Sequence, residues 1–232
     1  VCGMTSKNYN RYFTDVIKEI YRIAKQSQKV ISAQDVHTIL SKSNSDSSRM
    51  PDDIELKANL LERPIYGRIA QYKIRMILEA MDSAAHHNKA EYMPIQRNLT
   101  IEHILPEKWE KHWPLTKEGK SAEEILEQEA HRNLLKNTIG NLTLLTHSLN
   151  PAISNNSWEI KRPEIVKYSK SNLNRYFQIE AEDSVGEWNE ESILERTALL
   201  ADLFVEVWQA PLAKPRDLND DKVEDVYLAI DV

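Results

Sequence analysis

The apolar residues of this 232-residue chain recur mainly at the spacing of an α-helix, and this pattern constrains the fold more than any other feature. It occurs in three stretches: residues 8–27, a stretch after Pro64, and residues 187–208. Apolar side chains at every third or fourth position share one face of a helix, and that face packs against a core. The Ser-rich residues 41–53 predict a loop. The sequence therefore predicts a mainly helical fold.

A different pattern begins near residue 96 and predicts a small β component. Residues 98–106 alternate briefly and end at a proline, which predicts a short strand that runs into a turn. A helix is expected over 121–135, where Ser121 and Glu124 have the spacing of a capping box. A second strand is expected over 142–146. Asn150 precedes a proline and resembles a helix start. The predicted fold class is mainly α with a small β component.

Composition limits the class of protein. Cys2 is the sole cysteine, which excludes an internal disulfide and a cysteine-based zinc cluster, so no structural zinc is expected. No apolar run approaches the roughly 20 residues of a membrane span. The chain does not begin like a secretory signal, so a cytoplasmic location is expected. Because it opens on Val1, we interpret it as the C-terminal part of a longer protein.

The net charge of −6 argues against nucleic-acid binding, but the charge distribution favours it. Residues 131–178 carry seven basic and two acidic side chains, whereas residues 181–232 carry 14 acidic and four basic ones. A locally basic segment is what phosphate binding requires, because each neutralised phosphate releases counterions. The acidic end is expected to be a solvated surface or a contact for another domain.

Glu102 and His103 are the adjacent residues best suited to phosphodiester hydrolysis. That reaction needs a base to activate water and a divalent cation to stabilise charge on the phosphate. Histidine titrates near neutral pH, and Mg²⁺ prefers oxygen ligands. Side chains of successive strand residues diverge, so the carboxylate is expected to face the metal and the imidazole the water. Asn150 is a candidate second ligand through its amide oxygen; a helix cap is the alternative.

Three pieces of the sequence resemble a known nuclease motif: Glu102-His-Ile-Leu-Pro106, Gly140-Asn-Leu-Thr-Leu-Leu-Thr146 and Asn150-Pro-Ala-Ile-Ser-Asn155. In this order they resemble the HNH, or ββα-metal, finger, and more narrowly the C-terminal nuclease domain of the GmrSD family of modification-dependent restriction endonucleases. The spacing of nine between the two asparagines is similar to that in the HNH domains of CRISPR effector nucleases. The resemblance covers about residues 96–178 and extends more weakly to Arg196.

The resemblance implies a role for each matched residue. His103 is the expected general base, and Glu102 and Asn150 are the expected ligands of a single Mg²⁺ or Mn²⁺ ion. Asn141 is expected to orient the base by fixing the loop that holds it, with a simple turn role as the alternative. Lys161 is expected to contact a phosphate, with a solvated surface position as the alternative. The acid is Glu where many HNH enzymes have Asp or His.

The resemblance also implies a function: a DNA endonuclease of a restriction system against foreign, phage DNA, which makes nicks or double-strand breaks. The expected partners are double-stranded DNA and an upstream nucleotide-dependent sensor domain with a ParB-like fold, which would sense modified bases or phosphorothioates. No membrane partner is expected. Three alternatives stay open: a non-catalytic DNA-binding module that retains the finger, a structural or regulatory interaction domain, and an RNase.

The expected organisation has four parts. A helical region over 1–95 is followed by the nuclease finger over 96–178. A packing helix over 179–210 and an acidic tail over 211–232 complete the chain.

Overall fold

The structure is a computed structural model that describes residues 1–5, 7–28, 30–43, 45, 47–86, 99–150, 155–178 and 187–208. These residues fall into two compact units, which we describe separately: one draws on Val1–Leu56 and the other is Lys57–Val207. Helices dominate the described residues and only two strands occur among them, which confirms the predicted mainly α fold with a small β component. No helix in this part of the chain is both long and apolar enough to cross a membrane.

The first unit contains the helix predicted over residues 8–27. This helix, α1, spans Tyr9–Ser27 and confirms the prediction. A shorter helix, α2 (Ala33–Leu40), was not predicted; Ser32 and Asp35 form a reciprocal capping box at its start. The Tyr12 hydroxyl donates to the Leu40 carbonyl at 3.1 Å and links the two helices.

In the second unit the helix expected after Pro64 begins later than predicted. The helix α3 (Asp53–Glu62), whose residues divide between the two units at Lys57, is followed by a turn, and α4 spans Gln71–Ala84. Gly67 lies in this turn with φ of 78°, a left-handed conformation that interrupts a right-handed helix. Ile65, the first apolar residue after Pro64, is buried at the start of this turn rather than on a helix.

Two strands form an antiparallel sheet in the second unit. β1 (Leu99–His103) pairs with β2 (Leu142–Thr146), so that His103 lies opposite Leu142. Both predicted strands are confirmed. Between them lies α5 (Ala122–Leu135), close to the predicted range. Its start carries the capping box that the spacing of Ser121 and Glu124 indicates. A 3-10 turn over Ile139–Asn141 then leads into β2.

The chain continues through two more helices. α6 spans Trp158–Tyr168, and a 3-10 turn spans Asn172–Gln178. α7 spans Glu190–Val207 and confirms the helix predicted over 187–208. Of the helix predicted from Asn150, Leu149 and Asn150 are helical, and residues 151–154 lie outside the described residues. The core that supports the sheet is formed by Ile104, Leu105, Trp109, Leu135, Leu145, Leu149, Trp158, Ile165, Phe177, Trp188 and Ile193.

The predicted domain boundaries stay predictions. Residues 95–96 and 178–179 lie wholly or partly outside the described residues, as does the acidic tail over 211–232. Within the described residues, the sheet belongs to the same compact unit as α4 and α7.

Candidate active site

The candidate site lies at the end of β1, where Glu102 and His103 point to opposite faces of the sheet. Glu102 is paired with Thr143 on β2 and His103 with Leu142, and side chains of successive strand residues alternate between faces. Glu102 is 6% exposed and His103 8%. A buried carboxyl group and a buried imidazole need polar partners, and those partners define the site.

The partner of Glu102 is Lys161, which α6 carries to the sheet. The Lys161 ammonium donates to Glu102 Oε1 at 2.6 Å and to the His103 carbonyl at 2.7 Å. Lys161 is fully buried. Burial raises the pKa of the Glu102 carboxyl, and the Lys161 ammonium only partly offsets this; burial likewise lowers the pKa of Lys161. The alternative of a solvated surface position for Lys161 is wrong, because the side chain is fully buried. The predicted phosphate contact stays a prediction.

Asn150 lies against β1 on the same face of the sheet as Glu102. Its amide nitrogen donates to Thr100 Oγ1 at 2.9 Å and to the Ile101 carbonyl at 3.3 Å. The side chains of Thr100 and Glu102 are two residues apart on the strand and share one face. The amide group of Asn150 is therefore directed to the strand that carries the carboxylate.

The residue types on this face fit a hard divalent cation. Among the described residues no group of three or more His, Cys, Asp or Glu side chains is placed to hold a metal ion, so an ion here would depend on the Glu102 carboxylate and the Asn150 amide. Mg²⁺ accepts such a small set of oxygen ligands because it retains several waters. The Lys161 ammonium is paired with Glu102 Oε1, so a metal ion would have to share or displace this contact.

The His103 imidazole is held between two residues that the sequence reading did not single out. Its Nε2 lies 3.2 Å from Asn137 Oδ1, and its ring meets the Tyr66 ring edge-to-face at 4.4 Å between centroids. Burial lowers the pKa of His103, while the Asn137 side chain and the Glu107 charge act in the opposite direction. The net lowering favours the neutral imidazole, which is the form that accepts a proton.

Asn141 fixes the turn that follows His103. Its Oδ1 accepts hydrogen bonds from the Leu105 amide at 2.8 Å and from Trp188 Nε1 at 2.9 Å. Its Nδ2 donates to the carbonyls of Leu105 and Lys136, both at 2.8 Å. Both donors and both acceptor positions of this buried amide are thus used. Leu105 lies two residues after His103. The Asn141 side chain therefore holds the backbone of the turn that directly follows the imidazole-bearing residue.

Helix α7 supports the 3-10 turn over Ile139–Asn141, which carries Asn141. The Arg196 guanidinium donates to the carbonyls of Gly140 at 2.6 Å and of Leu142 at 2.9 Å. A Cβ atom on Gly140 would lie 2.2 Å from the Ile193 carbonyl oxygen and 2.1 Å from Thr197 Oγ1. Only glycine lets the turn approach α7 this closely. The motif in the sequence includes Gly140, but the close packing of this glycine against α7 could not be predicted from it.

Two basic side chains of the segment over 131–178 are directed into the protein. Arg132 and Lys161 are both buried in ion pairs with carboxylates. Lys167, Lys170 and Arg175 are exposed, and they border a cavity of about 330 Å³. These three side chains are therefore better placed than Lys161 to meet a phosphate.

Comparison with known proteins gives one family. Residues 50–203 match the family described as GmrSD restriction endonucleases, C-terminal domain. No curated protein and no solved structure matches the chain significantly. The family match covers well over half of the chain and includes β1, β2, α6 and most of α7. The chain therefore belongs to the C-terminal domain family of the GmrSD restriction endonucleases.

Proposed function

We propose that the chain is a metal-dependent DNA endonuclease of the HNH type, with a ββα-metal finger built on β1, β2 and the helical segment that contains Asn150. One observation carries the proposal: a buried carboxylate, paired with the Lys161 ammonium, and a buried imidazole with a lowered pKa are adjacent at the end of β1. Membership of a restriction-endonuclease family supports a nuclease function in general.

In the proposed reaction His103 is the general base. The neutral imidazole takes a proton from a water molecule, and the water oxygen forms a new bond to phosphorus. The bond between phosphorus and the leaving sugar oxygen breaks, and that oxygen takes up a proton from solvent. Glu102 and Asn150 would hold Mg²⁺ or Mn²⁺, which when bound supplies positive charge for the phosphate and the leaving oxygen.

Asn141 and Lys161 have supporting roles in this proposal. The four hydrogen bonds of Asn141 keep the turn after His103 in one conformation, and hence keep the imidazole in place. A phosphate contact by Lys161 requires its ammonium to leave Glu102 and the His103 carbonyl. A Lys161→Met variant that cuts a plasmid with unchanged KM would rule that contact out.

A plasmid assay tests the proposal. With Mg²⁺ or Mn²⁺, the chain should convert supercoiled plasmid to open-circle or linear DNA, and EDTA should stop the conversion. His103→Ala should abolish it. His147→Ala is the matched control, because His147 is exposed just beyond β2 and lies outside the proposed machinery. Equal cutting by wild type and His103→Ala would sink the assignment.

The same assay separates the alternatives. A non-catalytic DNA-binding module would bind the plasmid without nicking it. A structural or regulatory interaction domain would show no salt-dependent affinity for DNA, whereas phosphate contacts predict steep weakening as salt rises. An RNase would cut an RNA of the same sequence and leave the plasmid intact.

We also propose that the chain acts in restriction of foreign DNA and that another domain selects the target. The family description supports the first part. In the part of the chain that the structure describes, the polar groups of Asn141 and Lys161 bond to the protein itself, which supports the second. Plasmids with and without modified bases or phosphorothioate linkages should therefore be cut at similar rates by this chain alone. A strong preference for the modified or the unmodified plasmid would mean that this chain itself senses the modification.

A further inference from the structure

Asn137 lies two residues beyond the end of α5, and its side chain faces the His103 ring. The orientation of its amide follows from its other partner. Nδ2 donates to the Asn133 carbonyl at 3.2 Å. That carbonyl belongs to the last turn of α5, where carbonyls lack intrahelical donors, and the Asn137 backbone N–H donates to Leu134 instead. A flipped amide would set two acceptor oxygens against each other.

This orientation fixes the proton on the imidazole. With Nδ2 on the Asn133 carbonyl, Oδ1 is the atom that faces His103 Nε2, at 3.2 Å. An amide oxygen only accepts hydrogen bonds, so Nε2 must carry a hydrogen and donate it. In a neutral imidazole with its hydrogen on Nε2, the lone pair lies on Nδ1.

The backbone of Asn137 holds the other wall of the imidazole site. Its carbonyl accepts from the amide of Ile65 at 2.9 Å and from that of Tyr66 at 3.1 Å. These bonds hold Tyr66, whose ring packs edge-to-face on the His103 ring. One residue thus contacts the imidazole through its side chain and holds its aromatic neighbour through its main chain.

We propose that Asn137 is a further positioning residue of the active site: it fixes His103 in the tautomer with hydrogen on Nε2, so that Nδ1 takes the proton from water. This inference rests on the proposed function for the role of Nδ1, but the tautomer itself does not. Groups that orient a functional imidazole through its second nitrogen commonly affect activity by about 10- to 100-fold.

The test combines imidazole NMR with kinetics on the whole chain. The protein is labelled with ¹⁵N-histidine, and the His103 signals are assigned by their loss in His103→Gln. At a fixed pH where the ring is neutral, the wild type should show hydrogen on Nε2. Asn137→Leu removes the acceptor but keeps the main-chain carbonyl, so it should lose this single tautomer. Its kcat should fall about 10- to 100-fold with little change in KM.

Two further variants keep the test decisive. Asn137→Asp keeps an oxygen that accepts from Nε2, although it loses the donor to the Asn133 carbonyl. At a pH where the ring is neutral, it should keep hydrogen on Nε2. Asn133→Asp is the matched control: it lies one turn earlier, keeps the carbonyl that accepts from Asn137, and keeps an oxygen that accepts from Trp109 Nε1. It should leave the tautomer unchanged. Should Asn137→Leu fail to fold, the wild-type spectrum and Asn137→Asp still decide the matter.

The outcomes separate this inference from the proposed function. Hydrogen on Nδ1 in the wild type, or an unchanged tautomer and kcat in Asn137→Leu, would overturn the role of Asn137. The expected tautomer in a wild type that cuts no DNA would support the orientation by Asn137 and overturn the nuclease assignment.

Discussion

Replacement of Glu102 and Lys161, singly and together, measures how strongly burial couples the two charges. The variants are Glu102→Leu, Lys161→Met and the double variant. Their charged atoms lie 2.6 Å apart, with side chains 7% and 0% exposed. Burial raises the pKa of the Glu102 carboxyl and lowers the pKa of the Lys161 ammonium, so it favours the uncharged form of each group. A single replacement strands the other charge in the interior, and should lower the free energy of unfolding by about 3–5 kcal/mol.

The double variant should be much more stable than the sum of the single effects suggests. It strands no charge and leaves only the His103 carbonyl without its Lys161 donor, which costs about 1–3 kcal/mol. The coupling energy of the cycle is therefore expected to be at least about 3 kcal/mol. Urea unfolding followed by tryptophan fluorescence measures it, since Trp158 lies on the same helix as Lys161.

The pair Lys57–Asp202 is the matched control for this cycle. Its charged atoms are also 2.6 Å apart, but the side chains are 41% and 51% exposed. Solvent screening should hold its coupling energy to about 1 kcal/mol or less. If the buried pair couples as weakly as this exposed pair, then burial does not control the energetics of the site and the reasoning is wrong.

Three further predictions concern packing, pH and DNA binding. Gly140→Ala should lower the free energy of unfolding by about 3 kcal/mol, because its methyl group would overlap backbone atoms of α7. Gly119→Ala is the control: no atom lies near the new methyl group, and its φ of 73° alone should cost about 1–2 kcal/mol. Equal losses in the two variants would refute the packing argument. Burial raises the pKa of Glu190, but its bonds to Arg132 outweigh this and set the pKa below 4.5. Wild type should therefore be more stable than Glu190→Gln above pH 4.5 and lose that advantage as the pH falls through the pKa of the folded state; a difference independent of pH would contradict this. Arg175→Ala should reduce the salt dependence of DNA affinity by about one unit of slope in a binding titration, and an unchanged slope would exclude a phosphate contact.

Local patterns accounted for the elements that frame the site. The alternation of residues 98–106 and the proline after them were sufficient to predict β1. The spacing of Ser121 and Glu124 was sufficient to predict the start of α5. The start of α4 was misplaced because the sequence pattern does not reveal that Gly67 has a positive φ. The short helix α2 was missed, although Ser32 and Asp35 carry a capping signal like that of α5.

The contacts that complete the site could not be predicted, because they join residues far apart in the chain. Lys161 is 59 residues from Glu102, and its basic side chain was interpreted as a phosphate contact rather than as the partner of a buried carboxylate. Asn137 is 34 residues from His103 and follows a helix, where asparagine is common for local reasons. Tyr66 precedes both strands and shows no motif.

The rate of plasmid cutting by His103→Ala tests the central claim most directly. Wild type, His103→Ala and His147→Ala are compared with Mg²⁺ or Mn²⁺ at one pH, with EDTA as the blank. If His103 is the general base, its replacement should slow the initial rate by about 10²- to 10⁴-fold, while His147→Ala cuts like wild type. A His103→Ala protein that folds normally and cuts at the wild-type rate would contradict the account.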